Sequence, residues 1–439
     1  MKFYNREKEL ARLNGIRDRS ANSAQFTVVT GRRRIGKTQL LLRTDSDSPI
    51  LYFFVARKSE RFLCQDFQQE TVTKLNTPVL GEVSHFGKLF EYLMQLSEHR
   101  AFTLIIDEFQ EFFRVASSVY SEIQHYWDIY KDKSKINLIV CGSVYSLMHR
   151  IFENEKEPLF GRATALMSVK PFEIDIFKEI LADHNPNYMP EDLLALYAFT
   201  GGVPKYVQQL MDGGATTYNQ MLDFMIQADS TFLTEGKNML LEEFGSEYST
   251  YFTILSAIAR GENTRAQIEA TVNREIGGYL TKLERDYGLI TKKMPIFSKV
   301  ETKNVRYSLD DNFLAFWFRF IYKYGHILEV GNYDGLRNII DRDYKTFSGK
   351  MLEKYFRSKI IQTQNITQVG SYWDRKGENE IDLVAVNELD KQAQIIEVKR
   401  NVNKIDLDTL KSKCSQFMRA TGMLKDYHIS CLGLSLDDL

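Results

Sequence analysis

Four stretches of this chain are apolar with almost no interruption: Phe26-Thr27-Val28-Val29, Ile50 to Val55, Phe102 to Ile106, and Ile136 to Cys141. Runs of this length without alternation predict strands buried on both faces, the pattern of a parallel sheet between layers of helix. Helical spacing fills the gaps, with Leu10, Leu13 and Ile16 ahead of the first strand. Phe62, Phe67 and Val72, then Phe86, Leu89 and Leu93, follow the second. Val169 to Ile176, punctuated by Pro171, is expected to close this core. Residues 175–240 read as helices alone, carrying Phe177, Ile180 and Leu181, then Leu193, Leu194, Leu196 and Tyr197. Pro190-Glu191-Asp192 starts the second of these, since proline and acidic side chains suit a first turn.

The pattern changes at Tyr248. Tyr251, Ile254, Leu255 and Ile258 line one amphipathic helix, Arg265 to Thr271 form a second, and Ile276 to Tyr287 a third. Two β-like runs follow, Gly288 to Met294 and Asn304 to Leu309. Three helices and a two-stranded ribbon predict a winged helix-turn-helix. From Arg260 to Arg306 it holds ten Lys/Arg against six Asp/Glu, so its surface is mildly basic. The aromatic run Phe313, Phe316, Trp317, Phe318, Phe320 and Ile321 predicts a core helix. Beyond a helix through Met351 to Phe356 and then Tyr372-Trp373, Glu380 to Val386 and Gln394 to Lys399 form two strands. A turn at Asn387 to Lys391 makes them a hairpin.

Chemistry enters directly after the first strand. Gly31-Arg32-Arg33-Arg34-Ile35-Gly36-Lys37-Thr38 satisfies G-x-x-x-x-G-K-[ST], and Gln39 and Leu40 continue it into the first turn of a helix. Strand, glycine loop and helix N-terminus together aim backbone N–H groups at a phosphate. Lys37 is placed to reach the β- and γ-phosphates of ATP, and the Thr38 hydroxyl to bind Mg²⁺. About seventy residues on, Leu104-Ile105-Ile106-Asp107-Glu108 ends a buried strand in two carboxylates. Asp107 is expected beside the Mg²⁺ and Glu108 beside the attacking water.

Three further positions extend this site. The strand Ile136 to Cys141 ends in Gly142-Ser143, which puts Ser143 where it can sense the γ-phosphate. Arg162, in Pro158-Leu159-Phe160-Gly161-Arg162, is a candidate for stabilising charge on that phosphate, in cis or from a neighbouring subunit. Thr200-Gly201-Gly202-Val203-Pro204 fixes a sharp turn between helices, a lid element over the base that includes Pro204.

A second constellation lies in the C-terminal hairpin. Asp382 begins its first strand, and Glu397 and Lys399 share a face at the end of the second because side chains alternate. Converging carboxylates can hold Mg²⁺ or Mn²⁺, with Lys399 orienting or deprotonating water, and Glu353 adding a carboxylate from the preceding helix.

Composition narrows the picture only in part. The 439 residues suit two to four domains, and 44 % hydrophobic with 26 % charged residues is the balance of a soluble protein. A net charge of −1 excludes a global affinity for polyanions. Four cysteines without C-x-x-C pairing, no apolar run of membrane-spanning length and no signal-peptide core predict a cytoplasmic protein without a membrane partner.

With these motifs in place, residues 1 to about 240 resemble the archaeal-type ATPase family, P-loop proteins of the AAA-related STAND group. The resemblance rests on Phe3 to Leu10, GRRRIGKT, LIIDEFQ, Gly142-Ser143, PLFGR and Gly-Gly-Val-Pro. Residues from about 330 to 430 resemble the domain of unknown function often attached to those ATPases, itself similar to the PD-(D/E)XK nucleases. Here the first acidic strand reads Glu380-Ile381-Asp382, without the Pro-Asp of the nuclease motif. Pattern and resemblance together give a multidomain α/β protein: P-loop core 1–175, helical lid 176–245, winged helix 246–328, restriction-endonuclease-like domain 329–439. Together the motifs read as a Mg²⁺-dependent ATPase acting on or near DNA; the alternative is a nucleotide-controlled switch or scaffold binding a protein partner, its C-terminal domain catalytically idle. A homo-oligomer is compatible with either.

Overall fold

The computed structural model describes residues 1–44, 48–78 and 81–439. Contacts divide it into two compact units, Tyr4–Pro171 and a second made of Met1–Phe3 with Phe172–Leu439.

The first unit is built on a five-stranded parallel sheet. Its strands are β1 (Gln25–Thr30), β2 (Ile50–Phe54), β3 (Phe102–Asp107), β4 (Ile136–Cys141) and β5 (Ala165–Ser168), in the order β2-β3-β4-β1-β5. The four unbroken apolar runs are its four inner or long strands, and the pleat explains why they are unbroken. Phe26, Val28, Leu104, Ile106, Leu138 and Val140 point into one core with the helices Glu60–Leu75, Phe86–His99 and Val119–Tyr130. Val29, Ile105, Ile139 and Cys141 point the other way, against Leu13 of helix Glu7–Ser20 and Leu40 and Leu41 of helix Lys37–Leu41. Neighbouring residues in a strand face opposite sides, so a sheet covered on both sides has no polar positions to spare. The closing strand is Ala165–Ser168, earlier in the chain than the expected Val169 to Ile176. Only the N–H of Val169 continues the pairing, onto the Thr30 carbonyl at 2.8 Å.

The second unit begins with five helices, Ile174–His184, Pro190–Thr200, Pro204–Asp212, Tyr218–Ile226 and Phe232–Phe244. Helices Tyr248–Arg260, Arg265–Val272 and Gly277–Arg285 follow, with the antiparallel ribbon β6 (Ile290–Lys293) and β7 (Arg306–Leu309). The aromatic run is buried as expected: Phe313, Phe316, Trp317, Phe318 and Phe320 are each at most 3 % exposed. It starts as helix Asn312–Phe316 and widens into a π-helical turn at Trp317–Tyr322.

Helix Tyr333–Thr363 is 31 residues long, about 46 Å at the usual rise. Near its start Arg337 pairs with Asp223 and Tyr218 bonds Asp341 at 2.6 Å, both from the helix Tyr218–Ile226. After it comes a four-stranded mixed sheet ordered β11-β10-β9-β8, with β8 (Gln368–Trp373), β9 (Glu380–Asn387), β10 (Gln392–Val398) and β11 (His428–Leu434). The β9–β10 pair is the expected hairpin, and β11 joins β10 in parallel after helix Leu407–Thr421. Among the described residues no helix is long and apolar enough to cross a membrane.

Candidate active site

The glycine loop turns between β1 and helix Lys37–Leu41. Gly31 has φ +154° and a Cβ there would lie 2.9 Å from the Val169 carbonyl, while Gly36 has φ +85°. Close approach fixes the first glycine, and a left-handed backbone favours the second. Lys37 is the first residue of the helix and is buried. Its ammonium donates to the loop's own carbonyls, Gly31 at 2.8 Å and Arg32 at 3.2 Å. Burial pulls this lysine below its ordinary range, and the charges of Glu108 and Asp107 offset that only in part. Arg6, buried just ahead of the first helix, reaches the Ile35 carbonyl at 3.5 Å and Glu9 at 2.9 Å. Arg6 therefore touches the loop.

Asp107 ends β3, and the strand order puts β4 between it and β1. The Thr38 hydroxyl donates to Asp107 Oδ2 at 2.7 Å, and so does Tyr52 from the middle of β2, also at 2.7 Å. On Oδ1 the carboxylate accepts from Cys141 Sγ at 3.0 Å and from the Glu108 N–H at 2.8 Å. Burial alone would raise this acid. The four donors outweigh it and hold Asp107 below the usual carboxylate range.

Glu108 sits in the left-handed region, φ +53°, a conformation uncommon outside glycine, asparagine and aspartate. Its Oε2 accepts from Ser143 Oγ at 2.8 Å and from Gln110 Nε2 at 2.6 Å. Gly142 makes room for this arrangement, since a Cβ there would stand 2.2 Å from Gln110 Oε1. The structure thus gathers Lys37, Thr38, Asp107, Glu108 and Ser143 at the C-terminal edge of one sheet. Tyr52, Cys141 and Gln110 complete the network and were not singled out from the sequence. Tyr52 and Cys141 stand on the strands flanking the carboxylate strand, so strand order reveals them, and Gln110 stands in the turn that follows it.

Arg162 lies elsewhere. Thr164 gives its N–H to Phe26 at the start of β1, at 2.8 Å, and β5 then runs parallel with β1. Arg162 therefore sits at the N-terminal edge of the sheet, about 16 Å of strand from Gly31. There it pairs with Asp128 at 3.0 Å and donates to the Pro158 carbonyl at 2.8 Å. Its assignment to the nucleotide in cis is withdrawn, because a turn leading into a parallel strand opens at the wrong end. Pro204 belongs to the other unit, as first residue of the helix Pro204–Asp212.

In that second unit, Lys399 stands between two carboxylates, 3.3 Å from Asp382 and 3.4 Å from Glu397. Asp382 also accepts the Val398 N–H at 2.8 Å, and Glu397 accepts the Asp406 N–H at 3.2 Å. Glu353 comes from the long helix, with its carboxyl pushed up to about 7, chiefly by burial and then by the charge of Asp382. For Lys399 burial acts to lower the ammonium, but Asp382 and Glu397 together raise it above its ordinary value. Among the described residues, no three His, Cys, Asp or Glu side chains draw together as a metal-holding group. The lysine fills the space between the acids. Arg400, next in the chain, donates to Ser348 Oγ at 2.6 Å and to Glu191 of helix Pro190–Thr200.

Residues 3–210 match the model of an ATPase domain predominantly from Archaea, and residues 317–409 match a domain of archaeal and bacterial proteins of unknown function. An uncharacterized protein of Methanocaldococcus jannaschii is 30 % identical over 422 residues, covering 92 % of this chain and 90 % of its own. The Walker-type ATPase of Pyrococcus abyssi superposes with a TM-score of 0.54 at 19 % identity, over 72 % of this chain and 96 % of that one. That likeness concerns the fold. The chain belongs to the family in which an ATPase domain found predominantly in Archaea is joined to this C-terminal domain of archaeal and bacterial proteins.

Proposed function

We propose that this protein is a Mg²⁺-dependent ATPase whose winged-helix and nuclease-like C-terminal parts act on DNA. The observation that carries the ATPase reading is the Thr38–Asp107 hydrogen bond at 2.7 Å, which joins the two motifs in one site. A hydroxyl and a carboxylate in contact beside a glycine loop fit a Mg²⁺ ion, with Thr38 and Asp107 as its holders. When bound, the ion supplies charge neutralisation on the β- and γ-phosphates.

The chain's own residues do the rest. Gly31 to Gln39, Arg32, Arg33, Arg34 and Ile35 included, wrap the phosphates with backbone N–H groups. Lys37 exchanges its two carbonyl partners for phosphate oxygens. Glu108 takes a proton from the attacking water while Ser143 and Gln110 hold its other oxygen.

For the C-terminal part, support comes from Asp382, Glu397 and Lys399 meeting at the end of a hairpin, with Glu353 on the helix behind. Asp382, Glu397 and Glu353 would hold Mg²⁺ or Mn²⁺ only after Lys399 withdraws from between the acids, because as they stand the three do not draw together. The displaced Lys399 would then orient water for attack on a phosphodiester. The three helices and ribbon between Tyr248 and Leu309 support a winged helix. One observation favours a second reading, a nucleotide-controlled switch for a protein partner. Lys399 already bridges Asp382 and Glu397 and occupies the space between them, which a catalytically idle domain would tolerate.

Incubation of the purified protein with assorted DNA and Mg²⁺ or Mn²⁺, with and without ATP, separates the two. Phosphate release with metal-dependent strand cleavage is the expected result. Phosphate release without cleavage of any DNA supports the switch, and no phosphate release overturns the ATPase reading.

A further inference from the structure

The second unit contains a cavity of about 560 Å³ that neither reading uses. Its walls come from the end of β6 and the segment after it, the middle of the long helix, and β8. The segment after β6 is fixed to the sheet by the Ile296 N–H, which donates to the Ser371 carbonyl at 2.9 Å. Gly370 permits this approach, because a Cβ there would press on Ile296 Cβ at 3.0 Å.

Charge in the lining is one-sided. Lys292, Lys293, Lys354 and Arg357 face it with Asp310 as the sole acid, four positive charges against one negative. The Lys354 ammonium is spent on the Leu309 carbonyl at 2.6 Å, the Asp310 carbonyl at 3.2 Å and Asn312 Oδ1 at 3.0 Å. The Lys293 side chain makes no hydrogen bond or ion pair among the described residues, and Arg357 commits one N–H, to the Val369 carbonyl at 3.3 Å. Burial, and next the charge of Arg357, pull Lys293 below the ordinary lysine range, which the charges of Asp310 and Glu353 offset only in part. Ser298, also in the lining, has a buried hydroxyl without a hydrogen-bond partner. Buried polar groups are normally paired, and unopposed cations are costly to hold together. An anion with several acceptor oxygens would satisfy all three side chains at once.

We propose that this cavity is a second phosphate site, separate from the glycine loop, which takes a phosphate monoester of up to mononucleotide size. Lys293 and the free edge of the Arg357 guanidinium bind the phosphate oxygens, Ser298 donates its hydroxyl, and Trp373 lies in the wall beside the remainder of the ligand. The volume lies within the range of small-molecule sites. A free mononucleotide and the phosphorylated end of a strand present the same chemistry here.

The test uses full-length protein carrying Lys37→Ala, which silences the glycine loop, titrated calorimetrically with AMP, adenosine and inorganic phosphate. AMP and phosphate are expected to bind and adenosine is not. Adding Lys293→Met should weaken AMP at least tenfold, and because that ammonium has no partner in the fold, the melting temperature should stay within a few degrees. Arg357→Lys, which keeps charge but loses the fork, should give an intermediate loss. Preference for a 5′-phosphorylated over a 5′-hydroxyl oligonucleotide assigns the site to strand ends; equal affinities assign it to the free nucleotide. Equal AMP affinity with and without Lys293→Met, or adenosine binding as well as AMP, overturns the proposal.

Discussion

Ser143 donates its hydroxyl to Oε2 of Glu108 at 2.8 Å, so the end of β4 restrains the acid that follows β3. Gln110 donates to the same oxygen at 2.6 Å. Oε1 has no hydrogen bond among the described residues and is the oxygen placed to accept a proton. Replacing Glu108 with glutamine keeps the shape and removes the basicity. Glu108→Gln should therefore bind ATP as wild type does and turn it over about 10²–10⁴-fold more slowly. Nucleotide titration with a phosphate-release assay checks both halves; turnover at the wild-type rate would remove Glu108 as the base.

Lys37→Ala should act at the earlier step. The ammonium now facing the Gly31 and Arg32 carbonyls belongs to the only lysine in the loop from Gly31 to Thr38. Loss of tight ATP binding is expected, seen as a flat titration at concentrations that saturate wild type.

For Arg162 the expectation is negative. Its pair with Asp128 is partly exposed, 26 % and 42 % for the two side chains, so Arg162→Ala should cost under about 1 kcal/mol. Turnover per chain should be unchanged at low protein concentration. A fall that appears only as concentration rises, and is rescued by mixing with Lys37→Ala protein, would instead reveal a contribution across a subunit contact.

Asp382→Ala removes the acceptor of the Val398 N–H and one of the two acids flanking Lys399. It should abolish any metal-dependent DNA cleavage and weaken Mn²⁺ binding, while ATP turnover persists. Mn²⁺ titration of full-length Lys37→Ala protein, with and without Asp382→Ala, is the direct measurement. Identical isotherms would favour the idle-domain reading.

Arg400→Met addresses the connection between the hairpin and the helix Pro190–Thr200. The guanidinium is 17 % exposed and binds Ser348 and Glu191, with Tyr344 beneath it at 5.5 Å. Losing these charge-assisted bonds should lower stability by about 1–3 kcal/mol, read from denaturant midpoints. An unchanged midpoint would mean that the contact carries no net weight.

The sheet, the glycine loop and the paired carboxylates were legible because each leaves a local mark: an unbroken apolar run, a fixed spacing, a strand ending in charge. Tyr52 and Cys141 left none. They meet Asp107 because β2 and β4 flank β3, and neighbours across a sheet are set by topology rather than by distance along the chain. Arg162 shows the same limit: its turn leads into a strand parallel to β1 and so opens at the N-terminal edge of the sheet, which only the strand pairing reveals. In the C-terminal hairpin, alternation correctly set Glu397 and Lys399 on one face. That Lys399 would bridge the acids follows from side-chain reach, which periodicity does not encode.

The helix Tyr333–Thr363 has a mechanical consequence. Its first turns are fastened by Arg337 and Asp341 to the helix Tyr218–Ile226, while Glu353 and Arg357, three and more turns on, serve the carboxylate cluster and the cationic cavity. A continuous helix resists bending far better than the loops around it. It works as a rod held at several points, at Ser348 by Arg400 and at Lys354 by the Leu309 and Asp310 carbonyls as well as near its start, so it moves as one piece. The two chemical features along its length would shift in step, so a ligand seated at one of them would be felt as strain at the other.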